Sequence, residues 1–149
     1  MTTKEKIKIK LALNEVNCFL KGVNGLSEGS VISADEIDLT WHLKLLGEIN
    51  SYHKKISPIN RIDLSDTSVS PISWIDENIG EVLNKECYIY FNEYFFIKVV
   101  ICELKDFLKC FHKHQGNWDI SLFFLNPEKI YVICDNEYDM CYYKYINNS

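Results

Sequence analysis

The amino-acid sequence predicts an α+β fold, with N-terminal helices packed on an antiparallel sheet formed mainly by the C-terminal half. Apolar residues follow helical spacing through most of the first 84 residues, whereas aromatic and β-branched runs dominate from residue 87 onward. Helices followed by strands, instead of regular alternation, are typical of α+β proteins. With 149 residues and a 47% hydrophobic composition, the chain can bury its own core. We therefore predict a single domain over residues 1–149.

The first segment, residues 3–22, fits two secondary structures. Apolar residues alternate as in a strand at Ile7, Ile9, Leu11 and Leu13. Helical spacing is found at Ile9, Leu13, Val16 and Leu20. Because 20 residues ending at Gly22 are long for a strand, we predict a helix over 3–22.

Two more helices are predicted before residue 85. The sequence from Ser33 to Glu36 matches a capping box, which predicts a helix over 34–55. One face of that helix carries Ile37, Trp41, Leu45 and Ile49. A polar loop is predicted over 57–70, and a helix over 72–84 with Pro71 at its first turn.

The second half predicts strands around one helix. Strands are predicted over 87–91, 94–100, 118–125, 129–134 and 140–146. The intervening helix, over 103–113, is expected to end at Gly116. Pro127 suits a type I turn, and short turns join the last three strands into an antiparallel meander.

Composition argues against several classes of partner. A formal net charge of −5 and a single arginine, Arg61, disfavour nucleic-acid binding, which depends on phosphate contacts. The sequence contains no stretch of 18 apolar residues, so we predict no membrane span and no membrane partner. The N-terminus has no apolar region typical of a signal peptide, and we expect a cytoplasmic protein.

No catalytic motif, phosphate-binding loop or cofactor motif is present in the sequence. The six cysteines form no C-x-x-C pair and are expected to be mostly small buried apolar residues. Cys110, His112 and His114 suggest metal binding, but only Cys110 and His114 share a helix face. We therefore predict no metal, no cofactor and no enzymatic activity, with a small metal-dependent enzyme as the alternative.

Carboxylates and tyrosines suggest a protein-binding surface. Acidic residues are concentrated in the segment 61–90 and in the turn that follows residue 134. One interpretation is an ordinary solvated surface. The other is a binding patch, with carboxylates that steer a basic partner and tyrosines that anchor it. The candidate partner-binding residues are Asp76, Glu77, Asp135, Glu137, Tyr138, Asp139 and Tyr142.

The segment from Asn117 to Asp135, with its strand, Asn-Pro turn and strand, resembles the C-terminal part of bacterial immunity proteins. These proteins are the antidotes of contact-dependent growth inhibition and other polymorphic toxin systems. The resemblance lies within the C-terminal third of the chain and implies a small cytoplasmic α+β protein that binds one cognate toxin domain and covers its active site. A nuclease is one class of toxin that the acidic charge would suit. A phage or mobile-element accessory protein that binds another host protein is a further alternative.

Overall fold

A computed structural model describes residues 1–51 and 56–148 and confirms the α+β fold. The described residues form four α-helices and seven strands. The helices are α1 (Thr3–Gly22), α2 (Thr40–Ile49), α3 (Pro71–Ile79) and α4 (Leu104–Gln115). The strands are β1 (Leu26–Ser33), β2 (Asn60–Asp63), β3 (Glu86–Tyr90), β4 (Phe95–Ile101), β5 (Ile120–Leu125), β6 (Glu128–Asp135) and β7 (Asp139–Ile146).

All seven strands belong to one antiparallel sheet in the order β1-β4-β3-β5-β6-β7-β2. The predicted meander is confirmed, because β5, β6 and β7 are consecutive neighbours. The two edges come from the first half of the chain: β1 pairs with β4, and β2 pairs with β7. The two edge strands, β1 and β2, therefore come from the first half of the chain, and the five central strands come from the second half.

The sheet is covered differently on its two faces. On one, which we call the three-helix face, α1, α3 and α4 pack over a large apolar cluster that includes Val16, Ile75 and Phe107. On the other, the one-helix face, α2 packs over a smaller cluster that includes Phe123 and Tyr143. Burial on both faces explains why the central strands are apolar at nearly every position instead of alternating.

The helix predicted over 3–22 is confirmed as α1. The Thr2 hydroxyl accepts a hydrogen bond from the Glu5 amide at 3.1 Å and caps its start. Residues at helical spacing pack against the three-helix face, namely Ile9, Ala12, Val16, Phe19 and Leu20. Ile7 and Leu11 are exposed, so the alternation that suggested a strand does not describe the buried side of the segment.

The capping box at Ser33 and the helix predicted over 34–55 are wrong. Ser33 ends β1, which was not predicted, and a 3₁₀ turn follows over Ala34–Glu36 without a side-chain cap at Ser33. The helix begins at Thr40, whose amide donates to Asp38 Oδ1 at 3.0 Å, and it ends at Ile49. Residues 52–55 of the prediction lie outside the described residues.

The predictions for α3 and α4 hold with small changes at their ends. α3 begins at Pro71, where the Ser70 hydroxyl accepts from the Ser73 amide at 3.3 Å. It ends at Ile79, followed by a 3₁₀ turn over Gly80–Val82, instead of reaching residue 84. α4 ends as predicted at Gly116, which has a φ of 85° and donates to the His112 carbonyl at 2.7 Å.

Two predicted connections differ in the structure. The polar loop predicted over 57–70 contains the short strand β2. The Asn126–Pro127 peptide bond is cis, so the turn that joins β5 to β6 is not the predicted type I turn. Within the described residues, no helix has the length and apolarity that crossing a membrane would require.

Candidate protein-binding site

Four strands bring acidic residues to one end of the sheet. β5 begins there, β6 ends there, β7 begins there and β2 ends there, because the strands are antiparallel. We call this surface the acidic end. It comprises Asp63, Asp119, Asp135, Glu137, Tyr138 and Asp139.

The turn between β6 and β7 is held by hydrogen bonds from Asp135. Its Oδ1 accepts from the Glu137 amide at 3.0 Å, and its Oδ2 accepts from the Trp118 amide at 3.0 Å. Glu137 has a φ of 74°, a left-handed conformation that such local bonding helps a non-glycine residue to adopt. The Asn136 amide closes the turn on the Asp139 carbonyl at 2.9 Å. Asp135 therefore shapes the site more than it presents charge to a partner.

Tyr138 is the exposed aromatic residue of the acidic end. Its side chain is 74% exposed, which is unusual for a large aromatic residue in an ordered turn. Its backbone is fixed on both sides: its amide donates to the Asn136 carbonyl at 2.9 Å, and its carbonyl accepts from the Leu64 amide at 2.8 Å. The ring is consequently presented to solvent from a backbone of defined shape.

Asp119 joins the acidic end from the start of β5. Its Oδ1 accepts from the Asp135 amide at 2.6 Å, and the Gln115 side chain donates to its carbonyl. Partial burial, reinforced by the negative charge of Asp135, raises the pKa of the Asp119 carboxyl. The two carboxylates therefore form one local centre of negative potential.

A cation at the other side of the site offsets part of this charge. Asp63 and Asp139 lie directly opposite each other on β2 and β7, where like charges repel. Arg61 donates from Nε to Asp139 Oδ2, and this bond raises the pKa of the guanidinium. Asp63 accepts from the Ser65 amide at 2.9 Å, a bond that lowers the pKa of its carboxyl. Glu137 is exposed, so its carboxylate is open to a partner.

The structure brings together four of the seven predicted partner-binding residues: Asp135, Glu137, Tyr138 and Asp139. Tyr142 is placed differently, because it is only 5% exposed and belongs to the core of the three-helix face. Burial raises the pKa of its phenol to about 12. Tyr142 thus does not offer its ring to a partner, and this part of the prediction is corrected.

Asp76 and Glu77 lie on α3, with Glu77 exposed and Asp76 half-buried. Within residues 1–51 and 56–148, neither carboxylate has a hydrogen bond or ion pair to the acidic end. Contacts that attach the α3 region to the sheet are made by neighbouring side chains, Asn78 to Asn60 at 3.1 Å and Glu81 to Lys144 at 3.0 Å. The structure therefore does not join these two residues to the site by any contact.

Sequence reasoning missed Asp119, Asp63 and Arg61 as members of the site. A signal for Asp119 was present, since a hairpin centred on residues 126 and 127 places residue 119 beside residues 134 and 135. Asp63 and Arg61 had no such signal, because the pairing of β2 with β7 joins residues 76 or more positions apart.

The segment that suggested metal binding is divided among three environments. Cys110 Sγ accepts from the Asn24 amide at 3.4 Å, and His112 stacks on Trp118 with ring centroids 4.0 Å apart. His114 Nε2 lies 3.3 Å from Glu15 Oε1, and its ring stacks on that of Phe91. No group of three or more His, Cys, Asp or Glu side chains among the described residues is arranged to hold a metal ion.

Comparisons with models of known protein families, with curated proteins and with solved structures gave no match.

Proposed function

We propose that this protein is an immunity protein that binds a cognate toxin domain through the acidic end and neutralises it by covering its active site. A nuclease is the toxin class that the charge favours. The observation that carries the proposal is Tyr138, an aromatic side chain 74% exposed on a hydrogen-bonded turn and surrounded by carboxylates.

Exposed tyrosines on fixed backbones are effective anchors in protein interfaces. A tyrosine supplies a large contact area and has only two side-chain torsions to immobilise. Because hydrogen bonds to Asn136 and Leu64 already define the backbone of Tyr138, binding would not have to order this turn. The backbone of Glu137, the preceding residue, is held by the bond from its amide to Asp135 Oδ1.

The charge of the acidic end suits a basic partner. A nuclease binds a polyanion, so its active site is surrounded by cationic side chains. Carboxylates at Glu137, Asp119 and Asp139 would meet these cations at positions that phosphate groups otherwise occupy. Long-range attraction between such surfaces also accelerates association.

The proposal is tested by calorimetric titration of the protein with the C-terminal domain of a large secreted protein encoded immediately upstream, where such a reading frame exists. We expect one-to-one binding with a nanomolar Kd and loss of toxin activity. Tyr138→Ala should weaken binding by roughly 30-fold or more, the range of an interface hot spot. Tyr90, which is 47% exposed on β3, provides the matched control: Tyr90→Ala should change the Kd by less than about twofold.

Charge reversal at Glu137 tests the electrostatic part of the same experiment. Glu137→Lys should slow association, and more at low salt than at high salt, because salt screens the attraction. Glu93→Lys, an exposed site in the β3–β4 turn, alters net charge equally and should have little effect. Absence of binding would refute the cognate pair, and equal losses for the two tyrosine variants would exclude the acidic end as the contact surface.

A further inference from the structure

α1 carries a second apolar surface, on the side that faces away from the sheet. Ile7 is 54% exposed and Leu11 is 63% exposed, one helical turn apart. At about 100° per residue, Lys4 and Lys8 lie on one side of this pair and Lys10 on the other. We call these five residues the outer face of α1. All of them are exposed, so none contributes to the core.

The charge of α1 is opposite to that of the remaining chain. Residues 1–22 contain five lysines and two glutamates, a formal charge of +3, whereas the whole chain carries −5. The remaining residues therefore carry −8. α1 packs near β1 and β4, and the strand of the acidic end that lies nearest to them is β5, two strands from β4. At about 4.8 Å per strand this separation is roughly 10 Å, longer than the Debye length of about 8 Å at physiological salt.

The composition of the outer face indicates what could cover it. A second copy of α1 is disfavoured, because two such faces in contact would oppose lysine to lysine. A protein partner is disfavoured as well, since protein interfaces are depleted in lysine and depend on aromatic and arginine anchors, which the outer face lacks. Apolar side chains flanked by lysines are typical of helices that lie at an anionic lipid surface.

We propose that α1 binds the surface of an anionic lipid membrane, with Ile7 and Leu11 inserted at the headgroup level and Lys4, Lys8 and Lys10 beside lipid phosphates. Lysine side chains are long enough to reach the headgroups while their methylene groups cover apolar surface. We expected no membrane partner because the sequence has no membrane-spanning segment. A helix that lies at the membrane surface does not require such a segment. This inference is independent of the proposed toxin binding, because α1 packs near β1 and β4 whereas the acidic end is formed by β5, β6, β7 and β2.

The test is co-sedimentation of the full chain with vesicles of phosphatidylcholine alone and of phosphatidylcholine mixed with phosphatidylglycerol. The protein should bind the anionic vesicles at least about tenfold more strongly, and binding should decrease with salt. The double variant K4Q/K8Q should weaken partition roughly 25-fold, since each lysine near an anionic surface contributes about fivefold. I7S/L11S should weaken it by about tenfold or more, because the insertion of apolar surface is lost.

A matched pair of lysines on another helix provides the control. Lys105 and Lys109 are exposed on α4 at the same spacing as Lys4 and Lys8, so K105Q/K109Q removes equal charge elsewhere. Partition of this variant should stay within about twofold of the parent. The proposal is overturned if the parent protein does not bind anionic vesicles, or if the two lysine double variants weaken binding equally. It is also overturned if sedimentation velocity shows that the parent is a dimer and that I7S/L11S abolishes the dimer. Circular dichroism of each variant verifies that α1 remains folded.

Discussion

On the three-helix face, the side chains that α1, α3 and α4 pack against the sheet are apolar, whereas the one-helix face contains the fully buried His42. His42 Nε2 is 2.7 Å from the Phe124 carbonyl oxygen and attaches α2 to the end of β5. Its Nδ1 has no hydrogen-bond partner among the described residues and lies 4.0 Å from Glu128 Oε2. We infer that the three-helix face stabilises the fold by apolar burial, whereas the buried imidazole on the one-helix face makes the free energy of unfolding depend on pH.

The largest expected effect comes from deleting a core ring on the three-helix face. Phe107 is completely buried in α4, so Phe107→Ala should lower the free energy of unfolding by about 3–5 kcal/mol, from lost burial and a residual cavity. Urea unfolding at neutral pH measures it. Leu11→Ala, at a largely exposed position, should change the same quantity by less than about 0.5 kcal/mol. A loss below about 1 kcal/mol at Phe107 would contradict the role given to this face.

A smaller effect is expected from the helix caps on the two faces. Ser70→Ala removes the bond to the Ser73 amide at the start of α3 and should cost about 1 kcal/mol. Ser33→Ala is the matched change before the 3₁₀ turn at Ala34–Glu36, where no side-chain cap is formed, and should cost close to nothing. Urea unfolding of both variants distinguishes them. Equal losses of unfolding free energy in the two variants would indicate that Ser33 does cap a helix, in contradiction to the structure.

The smallest expected effect is a change in pH dependence on the one-helix face. Burial lowers the pKa of His42 below its ordinary value of 6.5, so the unfolded chain takes up this proton more readily than the folded one. The free energy of unfolding should therefore be unaffected by His42 above the ordinary pKa and decrease as pH falls below 6.5. His42→Gln, which retains a donor for the Phe124 carbonyl but cannot titrate, should flatten this decrease.

A conservative change at a buried apolar residue supplies the control for that pH series. Ile75 is completely buried in α3 and has no titratable group, so Ile75→Val should lower the free energy of unfolding by about the same amount at every pH and leave its slope against pH as it is in the parent. If His42→Gln and Ile75→Val changed the slope alike, the difference between the faces would not lie in the buried imidazole.

The sequence predicted the elements whose signals are local. α3 and α4 begin or end at residues that fix helix ends by themselves, Pro71 and Gly116, and both were predicted closely. β1 and β2 were missed because their pairing partners, β4 and β7, are distant in the chain. β1 also contains Glu28, Gly29 and Ser30, which disfavour strand formation unless a neighbour supplies the ladder.

The candidate site follows the same rule. Asp135, Glu137, Tyr138 and Asp139 were predicted together because a single turn contains them. Tyr142 was misplaced because both faces of the sheet are covered, so alternation along β7 does not distinguish exposed from buried positions. Which of the many carboxylates share a surface is decided by strand order, which local patterns do not encode.

The placement of β1 and β2 at the two edges also bears on how the chain matures during synthesis. A ribosome delivers residues 26–33 and 60–63 early, yet their ladders require residues 95–101 and 139–142. The nascent chain must therefore hold β1 unpaired until β4 emerges and β2 unpaired until β7 emerges, while the meander of β5, β6 and β7 can assemble as soon as it is made. Since β7 emerges after the other six described strands and is also the partner of β2, this sheet and the acidic end are completed in the same step.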